Sequence, residues 1–251
     1  MNCAESQRVL LLGLSGADWK TIRSLLDAGD LPVLDKLVSH GVIGELARSN
    51  ASPAIVQWQS ISTGVGPAKH GVYGLLELAD NGTEVLPISP RSSRCPPVWE
   101  VLGANGFQSH VIGWPGTHPA ASSYGACVSD AFAFPTDGSG QGWPLLDSSV
   151  SPTRLLSMLR ECRVLPNEIG AGVVQLFVPR LAEIDQTRDH HLAQLAIHLA
   201  ENFSVHAAAT ALLEKEPWDF AAIHFPMFDR ILRDFGSFEP PRRLNDWVRL
   251  F

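Results

Sequence analysis

The chain has 251 residues, of which 45% are hydrophobic and 18% charged, with a formal net charge of −7. That composition reads as globular rather than disordered, and the length is enough for a sizeable core. The acidic balance and the lack of a long basic run argue against bulk nucleic-acid binding and a polybasic membrane patch, and the apolar runs are too short to span a bilayer.

"RVLLLGL" (8–14) reads as a buried parallel strand. It runs into a short turn and then "DWKTIRSLLDAG", a helix over 18–28 with Asp18 as a candidate N-cap. "LPVLDKLVSHG" (31–41) is a second helix stopped by Gly41, and "VIGELARS" reads as a strand. Residues 55–63 form a short helix ending at Gly64. "TEVLPIS" is a strand, and "PPVWEVLGANG" (96–106) is a helix with Pro early and Gly at its end. "FQSHVIGW" returns as a strand. Residues 115–150 are rich in Gly, Pro and Ser and read as an irregular surface excursion. Helical pattern dominates 152–215, most clearly in "HHLAQLAIHLAENFSVHAAATALLEKE". "WDFAAIHF" (218–225) is a further buried strand, and "DRILRDF" opens another helix. The alternation predicts a layered α/β fold with a largely parallel sheet, as a single domain over 8–251. "EPPRRLNDWVRLF" does not read as a tidy domain terminus.

"MNCAESQR" carries no basic-then-apolar leader, so no signal peptide is expected. Cys3, Cys95, Cys127 and Cys162 are scattered without a CxxC pair, which suits reduced thiols in a cytoplasmic protein. Ser15 stands in G-L-S-G-A, close to the nucleophile elbow G-x-S-x-G of serine hydrolases. That chemistry needs a histidine base, which follows the acid in the α/β-hydrolase order. Nothing after His224 supplies one, and His198 and His206 sit on a packed helical pattern. The elbow also lies on the first strand rather than deep in the chain. The same stretch lacks the G-x-G-x-x-G spacing of a dinucleotide turn.

Several stretches together resemble the alkaline phosphatase superfamily, in its type I phosphodiesterase/nucleotide pyrophosphatase branch and near its predicted phosphohydrolase/phosphomutase group. They are "RVLLLGLSGADWKTIRSLLDAGDLPVLDKLVSHGVIGEL", "WQSISTGVGPAKHGVYGLLE", "PPVWEVLGANGFQSHVIGWPGTHPA" and "HAAATALLEKEPWDFAAIHFPMFD". The resemblance implies a three-layer α/β/α sandwich with a mostly parallel sheet, incomplete here at the C-terminus, and two divalent metals, usually zinc, at strand ends, flanking a Ser or Thr that takes the phosphoryl group. Two cations ~4 Å apart would clamp the attacking and leaving oxygens.

At the inspected positions this chain departs from that pattern. The family's first carboxylate ligand, in G-[LIV]-D-G, falls on Ser15, a neutral hydroxyl. The nucleophile position falls on Ala54, which cannot attack phosphorus. Ser52 stands two residues upstream in a Ser-Pro pair, and a slipped register would make it the nucleophile. The family's D-x-x-x-H reads Asp229 to Arg233, so one ligand survives and a cation replaces the other. The later Asp-His pair and final His of the family lie beyond Phe251.

These departures imply a degenerate, C-terminally truncated member: a pseudoenzyme with metal binding lost and no cofactor expected. It would retain phosphate or protein binding, with Arg233 as a phosphate-binding candidate beside a vestigial Asp229. The alternative is an active metal-dependent phosphohydrolase or phosphodiesterase using Ser52 and substitute ligands. Expected partners are a phosphorylated small molecule, and a second copy or another chain covering the truncated sheet edge. No nucleic acid or membrane is expected. His70 and the tryptophans Trp58, Trp99, Trp114 and Trp218 are read as structural, and the His190–His191 pair points in two directions and makes no metal pair by itself.

Overall fold

The computed structural model describes residues 7–46, 52–79, 81–122, 124–133, 143–185 and 190–236. The chain starts with strand β1 (Val9–Leu14), then helices α1 (Trp19–Asp27), α2 (Pro32–His40), α3 (Ala54–Thr63) and the single turn α4 (Pro67–His70). Strands β2 (Leu76–Leu78) and β3 (Val85–Pro87) form a separate antiparallel hairpin. Helix α5 (Val98–Ala104) leads into β4 (Ser109–Ile112), β5 (Gly125–Val128) and the short β6 (Val150–Ser151). Helices α6 (Leu156–Arg160), α7 (Ala171–Phe177) and the long α8 (His191–Lys215) follow, then β7 (Phe220–Phe225) and α9 (Met227–Phe235).

The main sheet has the order β1-β7-β4-β5-β6. β1, β7, β4 and β5 are parallel neighbours, and β6 runs antiparallel to β5. The chain crosses from β4 to its parallel neighbour β5 through residues 113–124 without a helix among the described residues, whereas helices separate β1 and β7 from the other parallel strands in the sequence and cover both sheet faces. Alternate strand residues point to opposite faces. Ile112, Ala126, Val128 and Ile223 pack with Val205, Ala208 and Leu212 of α8, together with Phe132, Leu155 and Leu159. Val111, Cys127, Phe220 and Ala222 pack on the other side with Trp58, Trp99, Leu102 and Trp114. The result is an α/β fold in three layers with a mostly parallel sheet.

Local chemistry explains the helix ends. Asp18 accepts from the backbone N–H groups of Lys20 (2.7 Å) and Thr21 (3.3 Å), which caps α1. Gly64 closes α3 in the left-handed conformation, which glycine adopts without a Cβ penalty.

Four expectations are corrected. The stretch 115–150 is not a surface excursion throughout: it supplies β5, with Ala126, Cys127 and Val128 buried in the sheet, and it buries Phe132 and Trp143. A four-residue strand flanked by Gly and Ser carries too little periodicity to stand out. "TEVLPIS" does form a strand, but in the hairpin and outside the main sheet. Residues 42–46, in the stretch read as the strand "VIGELARS", lie outside any element and are exposed; the rest of that stretch falls beyond the described residues. The strand "RVLLLGL" was expected to be buried, yet Val9, Leu10, Leu12 and Leu14 are exposed. The cause is topological: among the described residues β1 has a partner on one side only. The "EPPRRLNDWVRLF" tail lies outside the described residues.

Candidate functional site

The carboxyl ends of β1 and β7 meet Trp58 of α3 and the first turn of α9, in the region where open α/β sheets bind ligands. Ser15 follows β1 directly. Its backbone N–H donates to Phe225 at the end of β7 (3.0 Å), and its carbonyl accepts from the Asp229 N–H at the start of α9 (2.9 Å). Gly16 makes this approach possible. It has φ +81°, and a Cβ there would lie 2.5 Å from the Asp229 nitrogen.

The Ser15 side chain is engaged from two directions. Trp58 Nε1–H, on α3, donates to Ser15 Oγ at 3.0 Å. His224 Nε2, on β7, lies 2.9 Å from the same oxygen. The Gly113 backbone favours the charged ring, a smaller effect than burial. In the tautomer with Nε2 unprotonated, Ser15 O–H donates to it. The imidazole is held edge-on by Trp58 (centroids 4.6 Å apart) and by Trp114 (6.1 Å). Burial in this apolar setting pushes its pKa down to about 4, so it is neutral at ordinary pH. Gly13 leaves the room: a Cβ there would come within 2.9 Å of the Trp58 ring and 3.3 Å of His224.

Asp229 and Arg233 lie four residues apart on α9 and form an ion pair of 2.9 Å, with both side chains substantially exposed. Ser52 precedes α3 and is half-buried; its carbonyl accepts from Gln57 Nε2 at 2.9 Å. Ala54 is the first residue of α3 and is exposed. Trp58, one turn further along α3, reaches Ser15. Among the described residues no hydrogen bond joins Ser52 to Ser15 or Asp229.

Two further polar links fix α9 against α8. His198 Nε2 meets Asp234 at 2.6 Å. Arg230 pairs with the buried Glu201, and burial pushes that carboxyl upward against the neighbouring guanidinium. Nearby, half-buried Asp130 accepts from the Gly116 N–H (2.8 Å), and desolvation raises its pKa too. His70 is fully buried and satisfied: Nδ1 accepts from the Val72 N–H (3.1 Å), and Nε2 meets Ser60 Oγ (3.0 Å). Trp58, Trp99 and Trp114 pack edge to face within the core. His190 and His191 stand at the start of α8, where His191 packs on Phe235.

The two-cation arrangement does not fit these side chains. Ser15 offers a neutral oxygen already engaged by Trp58 and His224. The Asp229 carboxylate faces an arginine. Among the described residues no three His, Cys, Asp or Glu side chains converge. Sequence reasoning singled out Ser15, Asp229 and Arg233 and missed His224. Its signal was a lone imidazole at the carboxyl end of an otherwise apolar strand, "FAAIHF".

The sequence matches the family described as type I phosphodiesterase / nucleotide pyrophosphatase over residues 9–248. No curated protein matches it. Among solved structures it is similar to the phosphonoacetate hydrolase of Sinorhizobium meliloti 1021 in complex with phosphonoformate, at 16% identity and a TM-score of 0.51. The phosphonoacetate complex of that enzyme gives 17% identity and a TM-score of 0.46. Each comparison covers 93% of this chain and 54% of the other, so the chain spans about half the length of the solved structures it resembles. At that identity the likeness supports the fold alone. No helix among the described residues is long and apolar enough to cross a membrane.

Proposed function

The chain belongs to the type I phosphodiesterase / nucleotide pyrophosphatase family of hydrolases, and from that membership we propose that it has lost metal-dependent phosphoryl transfer and keeps a binding role. One observation carries this reading. The strand-end position at which the family pattern has a metal carboxylate holds Ser15, tied to Trp58 and His224 by neutral hydrogen bonds. Replacing an anionic ligand by a hydroxyl removes negative charge that holds a divalent cation, and without the cation no bound oxygen is ionised. Asp229 and Arg233 reinforce it, because a guanidinium stands where an imidazole ligand is expected.

The binding that remains in this reading is of a phosphorylated small molecule at Arg233, or of a second copy or another chain along the β1 edge, which has a partner on one side only among the described residues. Arginine binds phosphate through a planar two-pronged fork, and Arg233 is exposed enough to exchange Asp229 for an anion. The free thiols of Cys95, Cys127 and Cys162 support a cytoplasmic setting.

The test joins elemental analysis of the purified protein to hydrolysis assays with an aryl phosphate and a phosphodiester. Two tightly held metals per chain, or turnover of either substrate that a chelator abolishes, would overturn the reading. Inorganic phosphate titrated into wild type and Arg233→Ala, with chelator present, tests the anion site: equal binding, or none in either, removes it.

A further inference from the structure

The Ser15–His224 pair has a chemistry of its own that needs no metal. We propose that Ser15 is a metal-independent nucleophile with His224 as its general base, acting on neutral carboxylic esters. The inference does not depend on the binding role proposed above.

The geometry supplies three parts of such a site. The nucleophile stands on a tight strand-to-helix turn, half-buried between exposed Leu14 and Gly16. Its oxygen is 2.9 Å from an imidazole nitrogen, within the range for proton transfer. The imidazole is packed by the edges of two tryptophans, Trp58 and Trp114, which holds the ring in place beside the hydroxyl. The positions are 209 residues apart, so the contact is a product of the fold and not of local sequence.

The surroundings select the substrate. The Phe228 backbone approaches the Gly16 turn, and the side chains of Phe228 and of Leu14, which adjoins Ser15, are both exposed, so an apolar acyl chain has surface to lie on. The Asp229 N–H is bonded to the Ser15 carbonyl and its carboxylate is paired with Arg233, so the turn carries a neutral ion pair beside it, which suits an uncharged ester.

The reaction balances with water alone. Ser15 Oγ forms a bond to the ester carbonyl carbon, and its proton passes to His224 Nε2. The carbon–alkoxide bond breaks, and the departing alcohol takes that proton. Water then adds to the acyl-serine and gives a proton to Nε2. The carbon–Oγ bond breaks, the acid leaves, and Ser15 recovers its proton. One ester and one water become one acid and one alcohol.

The experiment treats the folded chain, with chelator present, with a fluorophosphonate probe and separately with p-nitrophenyl butyrate. Expected are one adduct per chain on the peptide holding Ser15, and p-nitrophenol release. Ser15→Ala, which removes only the hydroxyl, should lower both by at least 100-fold with an unchanged circular dichroism spectrum. His224→Gln should lower labelling to a similar degree. If that variant does not fold, the pH profile of wild-type labelling replaces it: the rate should fall tenfold per pH unit once the imidazole protonates. No adduct on wild type, an adduct elsewhere, equal labelling of Ser15→Ala, undiminished labelling of a folded His224→Gln, or a labelling rate indifferent to acid would each overturn the proposal.

Discussion

Replacing His224 by Asn should change how stability depends on pH, and the size of the change follows from the site. In the folded chain burial holds the imidazole pKa at about 4, against an ordinary 6.5. Between those values the unfolded chain binds a proton that the folded chain refuses. The contribution is therefore fully present above pH 6.5 and lost as pH falls through 4. The gap is worth about 3 kcal/mol, with roughly half gone by pH 5.5. His224→Asn removes the titration. The variant will be less stable than wild type at pH 7, because the tryptophan cage and the Ser15 bond are disturbed. The disadvantage should shrink by about 3 kcal/mol on going to pH 4. Urea unfolding of both proteins across that range reads the difference, in which the carboxylates common to both cancel. A wild-type-minus-variant difference that stays constant within about 1 kcal/mol would refute the claim that His224 is held neutral by burial.

Gly16→Ala should cost about 1–3 kcal/mol in urea unfolding, because the new Cβ meets the Asp229 backbone at a positive φ; unchanged stability would mean that the turn can open without loss. A double-mutant cycle on Asp229 and Arg233 should give a coupling of only about 0.3–0.5 kcal/mol, as expected of an exposed i,i+4 pair, and a markedly larger value would contradict that exposure. Ala54→Ser by itself should produce no phosphodiester hydrolysis, since Ser15 and Arg233 still stand at the ligand positions. Leu212→Ala, at a fully buried contact between α8 and the sheet, should cost about 2–5 kcal/mol and lower the thermal midpoint.

Where hydrophobic periodicity is strong, sequence reasoning reached the observed element. The strand "WDFAAIHF", the long helix over 191–215 and the Asp18 cap are all set by neighbours within a few residues. The strand β5 escaped because "GACV" is short and its surroundings resemble a loop. Sheet order escaped for a different reason: β1 lies beside β7 and not beside the strand next in sequence, and no local pattern records that choice. The site divided along the same line. Ser15 and Arg233 were visible because each interrupts a recognisable motif, and Asp229 because it keeps its place in one. His224 was passed over because it was sought as the base of a hydrolase in its usual order, whereas the fold brings it to Ser15 through the pairing of Gly13 with His224.

That β1–β7 pairing also sets a timetable. Val9 pairs with Phe220 and Leu14 with Phe225, so β1, the first strand among the described residues, has to wait for β7, the last of them. At ordinary rates of synthesis the interval is on the order of ten to forty seconds. During it "VLLLGL" has no sheet to join, while α5, β4 and β5 can already assemble from residues close in sequence. Closure of such a distant contact is entropically slow, and an apolar strand left waiting is open to capture by other chains. Yield on expression should therefore respond to chaperone supply and to growth temperature more than to changes in the α8 core, and substitutions that shorten the exposure of β1 should help most.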